Sequence, residues 1–353
     1  MIHRIVADRL TRRRLLGGLA AAACVAGAPR VGAQDDERTE GELRPITVNA
    51  RAITHFQPSR PEARRFGDLE FRGGLVLSSP NESFGGWSGL IMEAGGKGLL
   101  SVSDAGSWLK ADVAYAGTRP TAITRARLGS LRALRDRALR DKREQDAEAV
   151  TLVDGTLEHG TLLIGFERLH RIGRFEIRGG EMQPPSEYLS IPVEARRMPV
   201  NQGFEALAVI RAGPLRGSLV AFAERFTRGS GYHTGWIWVG GASHRLQLRD
   251  IDDFNITDAA GLPDGGLLIL ERYFRWTTGV SMRIRRLLPT EIRPGARLTG
   301  RIVFQADSSY EIDNMEGMAV HRGTGGETVV TLISDNNFNR LLQRTLLLQF
   351  TLQ

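Results

Sequence analysis

The sequence predicts an all-β fold, a β-propeller built of antiparallel blades. Three observations carry that expectation: a two-part phrase repeated five times, turn formers between its halves, and an early strand-like segment that can complete the last copy. The first half of the phrase is an acid or hydroxyl followed by small and apolar residues. It reads Ser88-Gly89-Leu90, Glu148-Ala149-Val150, Glu205-Ala206-Leu207-Ala208, Asp258-Ala259-Ala260 and Glu316-Gly317-Met318-Ala319. The second half is a short apolar run that ends on an acid: LLSVSD to Asp104, LLIGFER to Glu167, LVAFAER to Glu224, LLILER to Glu271 and VTLISD to Asp335. First acid to second spans 19 residues in three copies and 16 and 13 in the others.

Each copy reads as a β-hairpin. Its apolar runs are short and rich in Val, Ile, Leu and Phe, as buried strands are. Turn formers separate the halves: Gly95-Gly96, Asp154-Gly155, Pro214 with Gly217, Pro263 to Gly266, and Gly323 to Gly326. Third strands follow as RIGRFEI after Glu167, TGWIWV after Glu224 and MRIRRLL after Glu271. The last copy has strands for only part of a blade, and LEFRGGLVLSS (69–79) is expected to supply the missing one and close the ring. Five repeats imply five blades, or six if residues 45–80 hide a degenerate one. Residues 127–145 interrupt the repeat with Leu128, Leu131, Leu134 and Ala138 at helical spacing and Arg132, Arg135, Arg137, Arg140, Lys142 and Arg143 elsewhere around it, which predicts a short amphipathic helical insertion. Such a helix could lie across the mouth of the ring, or dock as a solvated helix on a blade edge.

The N-terminus reads as an address. Arg12-Arg13 within TRRRLL fits the twin-arginine pattern, Leu15 to Ala28 is apolar, and Val31-Gly32-Ala33 offers small residues for cleavage before Gln34. Residues 1–33 are therefore expected to be a signal peptide, 34–44 a disordered leader and 45–353 the propeller, in a periplasmic or secreted bacterial protein. The whole chain carries +7, but residues 1–33 hold six arginines and one aspartate; the rest has 41 basic and 39 acidic residues, a net of +2. The high charge thus belongs mostly to the signal, and nucleic acid is not an expected partner. The single cysteine is Cys24, so the remainder excludes disulfides, thiol catalysis and thiolate metal sites. No transmembrane run follows the signal, and a monomer is expected.

Familiar catalytic motifs are absent: no G-x-S-x-G, no H-E-x-x-H, no phosphate-binding glycine loop. Ser107 and Lys110 spell S-x-x-K, but among strand formers, where the pair cannot meet as it does on a helix. His170, His233 and His321 near repeat strands read as structural. What remains is the set of repeated acids. Equivalence of the repeats should gather them at one end of the central channel, where like charges raise one another's pKa unless a counter-charge is present. Arg168, Arg225 and Arg272 directly follow an acid in three copies and are one candidate. A hard divalent cation such as Ca²⁺ is the other, with Asp104, Glu148, Glu167, Glu205, Glu224, Glu271, Glu316 and Asp335 as candidate ligands. The alternative is that each acid accepts backbone N–H bonds and pins one blade to the next.

The segments FGGWSGL (84–90), DAEAV (146–150), FERLHRI (166–172), GFEALAV (203–209), AERF (223–226), LERYF (270–274), NMEGMAV (314–320) and LISDNNF (332–338) closely resemble the bacterial family called esterase-like activity of phytase. The resemblance covers nearly all of residues 66–353. It implies an exported β-propeller with a phosphoester or ester hydrolase activity. The chain lacks the D-A-D-D-P-A phrase of the calcium-dependent propeller phytases, which Asp146 to Val150 only echoes, so the resemblance does not extend to phytase activity itself. In the enzymatic reading, a cation held by Glu148, Glu205, Glu316 and Asp335 polarises a phosphoryl or acyl oxygen of a small anionic or esterified substrate. One of Arg168, Arg225 or Arg272 clamps the anion. The competing reading is a non-catalytic propeller that binds a ligand or partner, with structural acids.

Overall fold

A computed structural model describes residues 43–226 and 231–353. The expected signal peptide and the leader as far as residue 42 lie outside the described residues. Five antiparallel sheets follow in chain order, each beginning with its innermost strand. Blade I runs Trp87–Met92, Gly98–Ser103, Ser107–Ala116 and Arg119–Ser130. Blade II runs Ala147–Gly155, His159–Phe166 and Arg171–Arg178, edged by Glu181–Met182 and Glu187–Tyr188. Blade III comprises Phe204–Val209, Leu219–Ala223, Tyr232–Val239 and Ala242–Arg249, with Arg297–Leu298 in parallel at its edge. Blade IV comprises Asn255–Gly261, Leu267–Arg275, Gly279–Leu287 and Arg301–Ala306. Neighbouring innermost strands pack against one another, and that of blade V packs on that of blade I, so the ring closes.

Blade V shows how. Asn314–Arg322, Thr328–Asp335 and Thr345–Leu352 are its first three strands, and Leu69–Ser78 pairs with the last of them from Leu352↔Leu69 to Thr345↔Leu77. Asn49–Ile53 then adds an outermost strand. Residues 45–80 therefore form no sixth blade. They complete the fifth, and Arg44–Pro45 edges the first by pairing with Leu128 and Arg127. Leu43, at the end of the expected disordered leader, is 4% exposed. Phe56 clasps the junction: its ring meets Phe66, Phe71, Phe304, Tyr310 and Phe350 at centroid distances of 4.9–5.7 Å.

The expected helix over 127–145 is mostly not one. Residues 127–130 end the outer strand Arg119–Ser130, a 3₁₀ turn covers Leu134–Asp136, and α-helix is confined to Lys142–Gln145, capped by the Asp141 carboxylate. The leucine spacing runs across unlike pieces: Leu128 lies in the outer strand, Leu131 just past its end, Leu134 opens the 3₁₀ turn and Ala138 ends the two-residue strand Arg137–Ala138. No helix of the described residues is long and apolar enough to cross a membrane.

Candidate functional site

The innermost strands run away from one end of the ring, and each carries a β-bulge close to its start. The displaced residues are Ser88, Glu148, Glu205, Thr257 and Glu316. A bulge re-aims a side chain, here toward the axis. Small residues follow it because the strands crowd together: a Cβ on Gly89 would stand 2.8 Å from the Val150 nitrogen, and one on Gly317 would stand 3.1 Å from the Gly89 carbonyl carbon. The second strand of each blade returns to the same end and delivers Asp104, Glu167, Glu224, Arg272 and Asp335 there. Strand pairing sets their equivalence: Asp104, Glu167 and Glu224 donate backbone N–H bonds to Gly86, Asp146 and Gly203, while Arg272 and Asp335 pair with Asn255 and Asn314. Each blade thus brings two positions to the mouth, the bulge residue and the end of the second strand; the partner of the latter (Gly86, Asp146, Gly203, Asn255 or Asn314) is an acid in blade II alone.

The fourth copy is offset by one residue from the spacing-based reading. Thr257, not Asp258, occupies the bulge, and Arg272, not Glu271, takes the second position. Successive residues of a strand face opposite ways, so Glu271 turns off the mouth and into the blade. There it is fully buried and paired with Arg283 at 2.8 Å and with Arg285. Asp258 is likewise structural: its carboxylate accepts the Ala259 and Met318 N–H groups, joining blade IV to blade V. Of the other expected arginines, Arg168 pairs with Asp146 and Arg225 with Asp253 at 2.8 Å, and neither lines the mouth.

The mouth is a cavity of about 210 Å³ lined by Asp104, Glu148, Glu167, Glu205, Glu224, Glu316 and Asp335, together with Arg272, Ser88, Asn201 and Asn337. Seven of the eight acids expected as metal ligands therefore meet, facing, among the described residues, the one guanidinium of Arg272. Desolvation dominates the titration of Glu148, Glu167, Glu205, Glu224, Glu316 and Asp335. It raises Glu148 and Glu205 well above the carboxylate range and brings Glu167, Glu316 and Asp335 to about 7, with neighbouring acids adding to the shift. Arg272 opposes the rise at Glu316, lying 3.1 Å from its carboxylate. The guanidinium is in turn held more firmly protonated, first by Glu316 and then by Glu224 and Glu205. Several acids also hold backbone or amide donors: Glu167 accepts Gly203 N at 3.0 Å, Asp335 accepts Asn337 N at 2.8 Å, and Glu224 accepts the Asn255 amide at 3.0 Å.

Sequence reasoning missed Asp146. It completes the acid set of blade II, where ligand oxygens of Asp146, Glu148 and Glu167 lie within 4.8 Å of one another. Lys142, from the short helix, reaches both Asp146 and Asp104 at 2.6 Å, so the insertion does border the mouth. The signal lay in strand register: Asp146 pairs with Glu167 as Gly86 pairs with Asp104. His170 bonds the Met198 carbonyl at 3.1 Å, and burial depresses His233 and His321 to about 4. None of the three lines the mouth.

This architecture is that of a five-bladed propeller with a ring of carboxylates and one arginine at a single mouth. The family described as phytase-like, "Esterase-like activity of phytase", matches residues 82–338, and the chain belongs to it. No curated protein matches. Among solved structures, the Neurospora crassa Pan2 WD40 domain is similar at 11% identity and TM-score 0.40, covering 84% of this chain and 97% of that one. The β-propeller domain of Myceliophteria thermophila Cps50 (Swd1) is similar at 11% identity and TM-score 0.37, covering 88% and 100%.

Proposed function

We propose that the protein hydrolyses an ester or phosphoester bond of a small anionic compound at this mouth, with a hard divalent cation such as Ca²⁺ assisting. The convergence of seven carboxylates on one guanidinium in a single cavity carries the reading. The donor set suits such a cation: all oxygen, several carboxylates, and three of them close enough to share one ion. Glu148 and Glu167 would hold it, with Asp146 joining once Lys142 and Arg168 release it. When bound, the ion would lower the pKa of a coordinated water and polarise the substrate oxygen. Arg272, across from this group in the repeat, has a guanidinium suited to clamp a phosphoryl or carboxylate group. The carboxyls that titrate near 7, Glu316 and Asp335 beside Arg272, are poised to accept and return a proton at neutral pH. The twin-arginine pattern supports export and cleavage before Gln34.

A panel of phosphomonoesters and carboxyl esters, each with Ca²⁺, Mg²⁺ or chelator, tests the proposal. Cation-dependent turnover that disappears in Glu148→Gln is expected. Turnover of no substrate under any of these conditions would contradict it. The backbone bonds accepted by Glu167 and Asp335 favour a second reading, a ligand-binding propeller whose acids tie blades together. In that reading Glu148→Gln changes stability alone.

A further inference from the structure

Exposed large hydrophobic side chains are distributed unevenly over this molecule. Among the described residues there are eleven, and all but Leu288 and Ile302 stand at the mouth end. Topology places them: the second strand of each blade runs toward the mouth, so the turn that follows it forms the rim, and the linkers entering each innermost strand lie at the same end. In blade IV the rim turn lifts Trp276 to 95% exposure, its ring edge-to-face with Phe274 at 5.3 Å. In blade V the corresponding turn presents Leu341 at 95% and Leu342 at 81%. The linker into blade III adds Val193 and Val200, 67% and 56% exposed.

Arginines sit among these tips. Arg275 lies between Phe274 and Trp276, Arg340 precedes Leu341, and Arg196 and Arg197 lie between the two valines. All four are exposed, and among the described residues none has a carboxylate partner. Other rim arginines are neutralised, as Arg137 is by Glu144 and Arg225 by Asp253. A water-facing surface gains nothing from a bare Trp and two bare Leu held beside unneutralised arginines.

We propose that the mouth end of the propeller docks onto an anionic lipid bilayer. Trp276, Leu341 and Leu342 enter at headgroup level, and Arg196, Arg197, Arg275 and Arg340 meet lipid phosphates. Tryptophan favours that interface, apolar tips gain by leaving water there, and guanidinium pairs with phosphate bidentately. Charge complementarity selects lipid over a second copy of this chain, since a face-to-face pair would bring like arginines together. The mouth carboxylates line the cavity, and the exposed rim acids Asp136, Asp252 and Asp253 are each paired with an arginine, so neither set opposes docking strongly. The docking residues are other than those proposed to hold cation and substrate in the mouth.

Co-sedimentation with phosphatidylglycerol-containing vesicles, compared with pure phosphatidylcholine, tests the idea. The protein should sediment with the anionic vesicles at low salt, and its tryptophan emission should shift to the blue. The shift should vanish in Trp276→Ser. The combined Trp276→Ser, Leu341→Ser, Leu342→Ser variant should lose about tenfold or more in partitioning, and each arginine changed to Gln about fivefold. All these residues are exposed, so an unchanged melting curve is expected and keeps the comparison valid. Absence of binding to anionic vesicles, or binding unaltered by both sets of changes, overturns the proposal. So does vesicle-free self-association that the triple change abolishes without any vesicle binding, which would assign the surface to a second copy.

Discussion

Arg272 stands in blade IV where the other four blades place an acid, and this single exchange gives the mouth two sides. Blade II, with Asp146, Glu148 and Glu167, is the acid-rich side, while Arg272 beside Glu316 is the cationic one. Arg272→Gln should raise KM for anionic substrates by about tenfold to a hundredfold, the worth of a hydrogen bond to a charged group, and should hardly touch a neutral ester. Steady-state kinetics on a charged and uncharged substrate pair checks this. The change also removes the main charge that restrains Glu316, so the Glu316 carboxyl should titrate higher still. Reading acids by type, at fixed spacing, picks Asp258 and Glu271 in this copy; reading them by strand pairing picks Thr257 and Arg272. Side-chain chemistry is visible in a sequence, but which of two adjacent residues faces the axis depends on a bulge that the one-dimensional spacing does not display.

The mouth acids also set a pH dependence. The folded-state pKa values of Glu148, Glu167, Glu205, Glu224, Glu316 and Asp335 lie above the unfolded ones, so the protein without cation is favoured below about pH 4.5 at these groups. That contribution is lost as pH rises through about 7, where Glu167, Glu316 and Asp335 titrate. The melting midpoint in chelator should therefore fall by several degrees between about pH 5 and 8. In saturating Ca²⁺ the decline should shrink, because ionised carboxylates are then the form that binds. Calorimetric scans at both pH values check the sign.

At the scale of elements, repeated hairpins and their turns were legible because buried strands and φ > 0 glycines leave strong local patterns. The closing strand 69–79 was legible too, since blade V plainly lacked one. The helical reading of 127–145 failed because its leucines, three apart, fall at a strand end and in a 3₁₀ turn, and only Lys142–Gln145 is α-helical. The Phe56 clasp was invisible, because the five rings it meets are spread from Phe66 to Phe350. Phe56→Ala should cost about 3–5 kcal/mol. For a domain of this size, at about 2 °C per kcal/mol, the midpoint should drop by roughly 6–10 °C. A smaller drop would mean that the first and last segments of the ring are held chiefly by the Leu69–Ser78 pairing.

At the scale of the whole molecule, five sheets closed by pairing the last copy with an early strand leave the ring without a gap, and the same closure brings acids from distant repeats to one cavity. Export of the folded protein is expected to expose Gln34 as the mature N-terminus. N-terminal sequencing of periplasmic material should find it, and Met1 or a modified Cys24 would contradict the reading. The central claim is that the ring of carboxylates collects a divalent cation for hydrolysis, and calcium titration by calorimetry and melting tests it most directly. At pH 8, binding should saturate, and Ca²⁺ at about 100 times its Kd should add about 2.7 kcal/mol of stability, a rise of roughly 5 °C. Glu148→Gln, which keeps shape and loses charge, should abolish both signals. No binding heat and a midpoint unmoved by Ca²⁺, Mg²⁺ or chelator in the wild-type protein would contradict the account and leave the acids as ties between blades.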